Sequence, residues 1–174
     1  MVARAGRIGV VAMLCALADC ASEPPPPQPV FASVVKSAPV RFQYQLIDGK
    51  GWLGAETMHG RPSLIGFITT YDMASQAQAR FLNGILQKHV GKVQVAAIVL
   101  ERADNRPLVI AFRDGLGLGF PVAMGDADLI GGRGPFGDVH AVPATVLLDT
   151  EGRLVWKKLG LATEEEIEKA LREL

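Results

Sequence analysis

Cysteine is nearly missing from this chain. Cys15 and Cys20 are its whole supply, and positions 21–174 contain none. That excludes a fold stapled by disulfides, because one cysteine near the start of a processed chain has no partner to pair with. It also excludes a site built on two thiolates anywhere in the later sequence. Excess charge of either sign is missing too: Lys and Arg number 18, Asp and Glu number 18, and no basic run stands out. Binding to a nucleic-acid backbone therefore has no electrostatic footing. The apolar run Ile8–Leu17 is too short to span a bilayer. No self-similarity at a solenoid period appears.

What is present begins with an address. Arg4 and Arg7 precede that apolar run, the pattern of an export signal. Two cleavage sites fit. Leu17-Ala18-Asp19-Cys20 resembles a lipobox, in which Cys20 becomes a lipidated first residue, although Asp19 stands where a small residue is usual. Ala16-Leu17-Ala18 satisfies the small-x-small rule for ordinary secretion. The organisation expected is a signal peptide over 1–19, a lipidation site and Pro-rich tether over 20–36 (Pro24–Pro27 at its heart), and one domain over 37–174. Cutting before Cys20 removes Arg4, Arg7 and Asp19, leaving 16 basic against 17 acidic residues, a net charge of −1. With 49% hydrophobic and 21% charged residues, the remainder has a globular profile.

Within the domain, Arg41–Leu46 alternates like an edge strand, and Asp48-Gly49 and Lys50-Gly51 mark a turn. Ser63–Thr69 is a continuous apolar run suited to a buried parallel strand. Ala74, Ala77, Phe81, Leu82, Ile85 and Leu86 give one apolar face to a helix over Asp72–Val90, with Gly91 to stop it. Val93–Leu100 reads as a second buried strand, Pro107–Phe112 as a short helix, and Phe120–Met124 as a short extended piece. Gly131–Gly137 reads as loop, with no strand–helix context for a phosphate cradle. Ala144–Asp149 and Arg153–Lys158 read as a hairpin about Thr150-Glu151-Gly152. Thr163 and Glu166 form a capping box for a last helix, whose wet side carries the pairs Glu165/Lys169 and Glu168/Arg172. His59 and His89 read as solvated. The sum is an α/β domain with a mixed sheet and helices on both faces.

Three motifs then carry a resemblance. They are Gly60-Arg61-Pro62 before the strand ending Gly66-Phe67, Phe120-Pro121-Val122 followed by Asp126, and Val142-Pro143-Ala144-Thr145 running into Val146–Gly152. With the element order, they resemble the thioredoxin-like superfamily, and within it lipoproteins of the TlpA/ResA or AhpC/TSA-redoxin type, over about Pro39–Leu174. The resemblance implies a thioredoxin-like fold with a cis-proline loop at Pro143, packed near the start of the first long helix. It implies thiol-disulfide or peroxide chemistry at a Cys-x-x-Cys turn. The matching stretch here is Tyr71-Asp72-Met73-Ala74-Ser75, with Asp72 and Ser75 on the two cysteine positions and Tyr71 on an aromatic one.

The replacements remove redox chemistry. An aspartate at a helix start is an anion that the helix dipole favours, but it exchanges no disulfide. Asp72 also suits a plain N-cap. No catalytic residue, cofactor or metal is expected. A Ser-His-Asp relay of Ser75, His140 and Asp72 has no supporting nucleophile elbow, and a metal on Asp72 and His140 has no third ligand. The expected partners are a protein or peptide at the face of Tyr71, Asp72, Ser75, Val142 and Pro143, and a membrane through a lipid on Cys20, on the periplasmic side of a bacterial envelope. The alternative is a thiol-disulfide oxidoreductase or peroxiredoxin-like protein, as the resemblance alone implies.

Overall fold

The computed structural model describes residues 38–174. The expected signal peptide, Cys20 and the expected tether lie outside the described residues, as does the first residue of the expected domain.

The domain opens with a two-stranded hairpin, β1 (Gln43–Gln45) and β2 (Trp52–Gly54), paired antiparallel. The central sheet contains β3 (Ser63–Ile68), β4 (Gln94–Val99), β5 (Val122–Met124), β6 (Ala144–Leu148) and β7 (Leu154–Leu159), in the order β5-β4-β3-β6-β7. Strands β3, β4 and β5 run parallel, and β6 and β7 are added antiparallel. The helices are α1 (Met73–Lys88), α2 (Arg106–Leu116), α3 (Ala127–Ile130) and α4 (Glu164–Arg172). This is the mixed, helix-flanked sheet that the sequence implies.

Alternation along β3 explains the layering. Leu64 and Ile68 face a core shared with Ala79, Leu82 and Ile85 of α1, Val109 of α2, and Ile167 and Ala170 of α4. Ile65 and Phe67 face the other way, onto Phe42 and Tyr44 of the hairpin segment, Leu53, Leu129 of α3, and Phe136. The three longer helices therefore share one face, because two right-handed crossovers in the same direction put both helices on one side. The opposite face is closed by the hairpin, α3 and loop residues. Phe136 joins Phe42 and Phe67 at ring separations of 4.9 and 5.1 Å. Gly66 lets α1 approach closely: a Cβ there would lie 2.4 Å from Leu82 Cδ1.

Several expectations need amendment. Strand β2 and helix α3 are too short to leave a periodic signal. Helix α2 runs past Phe112 to Leu116 and is closed by Gly117 at φ 61°, so Gly115 is accommodated inside it. Glu168 meets His89 of α1 at 3.0 Å instead of serving only the wet side of α4, and His89 is correspondingly half-buried. The Thr163–Glu166 capping box forms as expected.

Candidate functional site

The turn from β3 into α1 carries Tyr71, Asp72 and Ser75. Asp72 is the N-cap, in extended conformation. Its Oδ1 accepts from Ala74 N at 3.2 Å and its Oδ2 from Ser75 N at 2.9 Å. These are the orphan donors that every helix start must satisfy. Ser75 Oγ donates to the same Oδ2 at 2.8 Å and accepts from Thr69 N at 3.1 Å. The Ser75 hydroxyl holds the Asp72 carboxyl below its ordinary range; burial opposes it, and the two backbone donors add to the lowering. Asp72 is thus a fixed anion near neutral pH.

Ser75 itself is fully buried. Both roles of its hydroxyl are already used, so it is not presented as a nucleophile. On either side of Asp72, Tyr71 and Met73 are 74% and 84% exposed, unusual for large apolar side chains. The backbone beneath them is braced from β4. Glu101, nearly buried, accepts from Thr70 N through Oε1 and from Asn105 Nδ2 at 2.8 Å through Oε2.

The second half of the face comes from the loop before β6. The register pairs Phe67 with Ala144, which sets Pro143 beside the end of β3, only a few residues from Asp72. The Val142–Pro143 peptide bond is cis. Val142 is half-buried and Pro143 buried. His140 does not join Asp72 and Ser75. Its Nδ1 pairs with Asp138 Oδ2 at 2.9 Å in an exposed loop. The Ser-His-Asp relay considered from sequence is therefore not assembled. Among the described residues, no group of three or more His, Cys, Asp or Glu is gathered for a metal.

Sequence reasoning missed Glu101 and Gln78. Glu101 follows a continuous apolar strand, and an acid in that position is the one signal that would have marked it. Gln78, fully buried, accepts from Ala162 N at 2.7 Å and donates to Ala162 O at 3.2 Å, pinning α1 to the segment before α4. The hydroxyls of Thr69, Thr70 and Thr145 are buried with no partner among the described residues. Away from this face, burial, with a smaller push from Asp126, raises the Tyr44 phenol to about 12.

No known family profile matches the chain, and no curated protein sequence matches it. Solved structures do. A DsbF homologue from Corynebacterium diphtheriae superposes with a TM-score of 0.70 at 13% identity, covering 88% of this chain and 97% of that one. A thiol:disulfide interchange protein of the thioredoxin family from Chlorobium tepidum gives 0.65 at 15% identity, covering 82% and 98%. A secreted Mycobacterium tuberculosis disulfide oxidoreductase homologous to E. coli DsbE gives 0.63 at 17% identity, covering 78% and 97%. At such identities the likeness speaks for the backbone alone. Strand order, the cis Pro143 loop beside the end of β3, and these superpositions agree: the chain has the thioredoxin-like fold.

Proposed function

We propose that this domain is a recognition module of the bacterial cell envelope that binds a protein or peptide at the Tyr71–Asp72–Pro143 face without thiol chemistry. One observation carries the reading: no cysteine occurs in positions 21–174, while Asp72 and Ser75 occupy the β3–α1 turn as a closed N-cap network. A serine buried with its hydroxyl satisfied, and a carboxylate, have no dithiol couple between them. What remains is a braced turn with two exposed apolar side chains and the adjoining loop of Val142 and Pro143. Extended peptides add to such backbone edges through main-chain hydrogen bonds that need no sulfur. Arg4, Arg7 and Cys20 support export and lipid tethering through the Pro-rich segment. Among the described residues, no helix is long and apolar enough to cross a membrane.

A second reading is favoured by the names of the structural neighbours, which are thiol-disulfide proteins. It makes this chain a thiol-disulfide oxidoreductase or peroxiredoxin-like protein, and Cys20 would have to supply its thiol. Dithiothreitol-coupled insulin reduction separates the two. The recognition reading expects the background rate from the protein and from Cys20→Ser alike. A rate above background that disappears in Cys20→Ser would establish the second reading. Envelope crosslinking tests the first directly: a partner captured by the native protein should be lost from a folded Asp72→Lys, Pro143→Ala variant. Retention of that partner moves the binding surface elsewhere.

A further inference from the structure

A groove of about 680 Å³ lies well away from the Asp72 turn, across the outer face of the β1–β2 hairpin. That volume is within the range of small-molecule sites. Its floor follows from strand alternation. Tyr44 and Leu53 point inward to the core, so Gln43 and Trp52 point outward. Gly54 stands opposite Gln43 and lines the groove, and a Cβ there would lie 3.1 Å from Phe42 O. Trp52 is 54% exposed. An indole held half in water on a strand is a large, rigid, one-sided apolar surface.

The polar groups around it are unspent. Arg41, Glu56 and His59 line the groove, are exposed, and make no hydrogen bond or ion pair within the described residues. The backbone nearby is already engaged: β1 pairs with β2, Phe42 O accepts from Ala55 N at 3.1 Å, and Val40 N donates to Gly152 O at 2.8 Å. The side chains around it remain as donors and acceptors. Arg41 and Glu56 carry opposite charges, and Glu151 on the rim is paired with Arg153, so the lining favours neither an anion nor a cation. A guanidinium, an amide, a carboxylate and an imidazole together offer donors and acceptors at several angles. The ligand that uses all of this is uncharged, rich in hydroxyls, and has an apolar C–H face.

We propose that this groove binds a neutral oligosaccharide. Trp52 is the stacking platform for a sugar ring, and Arg41, Gln43, Glu56 and His59 are the partners of its hydroxyls. This site is independent of the Asp72 face. The test titrates the protein with three neutral hexasaccharides, those of N-acetylglucosamine, glucose in β-1,4 linkage and glucose in α-1,4 linkage. The readouts are calorimetry and the fluorescence of Trp52 in a Trp156→Phe background. At least one sugar is expected to give saturable heat and a saturable shift in Trp52 emission. Trp52→Ala is expected to weaken binding at least tenfold, Trp52→Phe to restore most of it, and Arg41→Ala to weaken it several-fold. Each variant is checked by circular dichroism, and these side chains are exposed enough to be removed without disturbing the core. No saturable response to any of the three sugars overturns the proposal. So does binding that survives Trp52→Ala, or saturation of the same fluorescence change by decaproline in place of a sugar.

Discussion

Asp72 and Ser75 hold each other. The carboxylate closes the helix start, and the serine hydroxyl both depresses its titration and satisfies Thr69 N. Asp72→Ala should cost about 1 kcal/mol at pH 7, the usual penalty for a lost cap. Because the folded-state titration lies below the unfolded value of about 3.9, this contribution is fully present above that pH. It is lost as pH falls through the folded value. The gap between Asp72→Ala and the native protein in urea unfolding should therefore stand open at pH 7 and narrow as the pH is lowered into the acid range below that value. Ser75→Ala removes the largest cause of the depression, and an NMR carboxyl titration should show Asp72 moving up toward its ordinary value. The same variant leaves Thr69 N buried without its acceptor, at a cost of about 1–3 kcal/mol.

At the scale of elements, α1 is the hinge of the arrangement. Its N-terminus carries the face, Gly66 lets it lie close on β3, and its far end is tied to α4 by Lys88–Glu164 and His89–Glu168. Those exposed or half-exposed pairs contribute little individually. The stronger tie is Gln78, which satisfies both backbone groups of Ala162 inside the core. Gln78→Leu keeps the volume and strands both groups, so thermal unfolding should show a loss of about 2 kcal/mol or more, on the scale of buried unsatisfied backbone. Gln78→Glu keeps an acceptor for Ala162 N but replaces the donor to Ala162 O, and should not restore full stability. The periodic elements were legible in sequence. Strands β3, β4 and β6, helix α1 and the α4 capping box have long patterns or sharp end signals. Strand β2 and helix α3 span three and four residues, too few for a period to register.

The whole molecule has the thioredoxin-like fold, and positions 21–174 contain no cysteine. Ser75 Oγ lies 2.8 Å from Asp72 Oδ2, so the side chains of these positions already meet. The double variant Asp72→Cys, Ser75→Cys should form an intramolecular disulfide under mild oxidation, seen as a loss of two hydrogens by mass spectrometry and of two titratable thiols. It should also reduce insulin in the presence of dithiothreitol, where the recognition reading expects only the background rate from the native protein. A double variant that folds and stays fully reduced would mean that the turn has moved away from redox geometry.

Much of this was decided by the sequence alone. Absence of cysteine needs no coordinates, and neither does the aspartate at a helix start, since capping is a local property of a few successive residues. The long buried strands declare themselves because an unbroken apolar run has few other uses. Tertiary structure decided what depends on residues distant in sequence. It brought Pro143 beside the end of β3 and sent His140 to Asp138, leaving the relay unassembled. It set Glu101 under Thr70, and it turned Trp52, Arg41 and His59 toward one groove. These outcomes rest on strand register and chain crossing, which side-chain patterns constrain only through the core they must jointly fill.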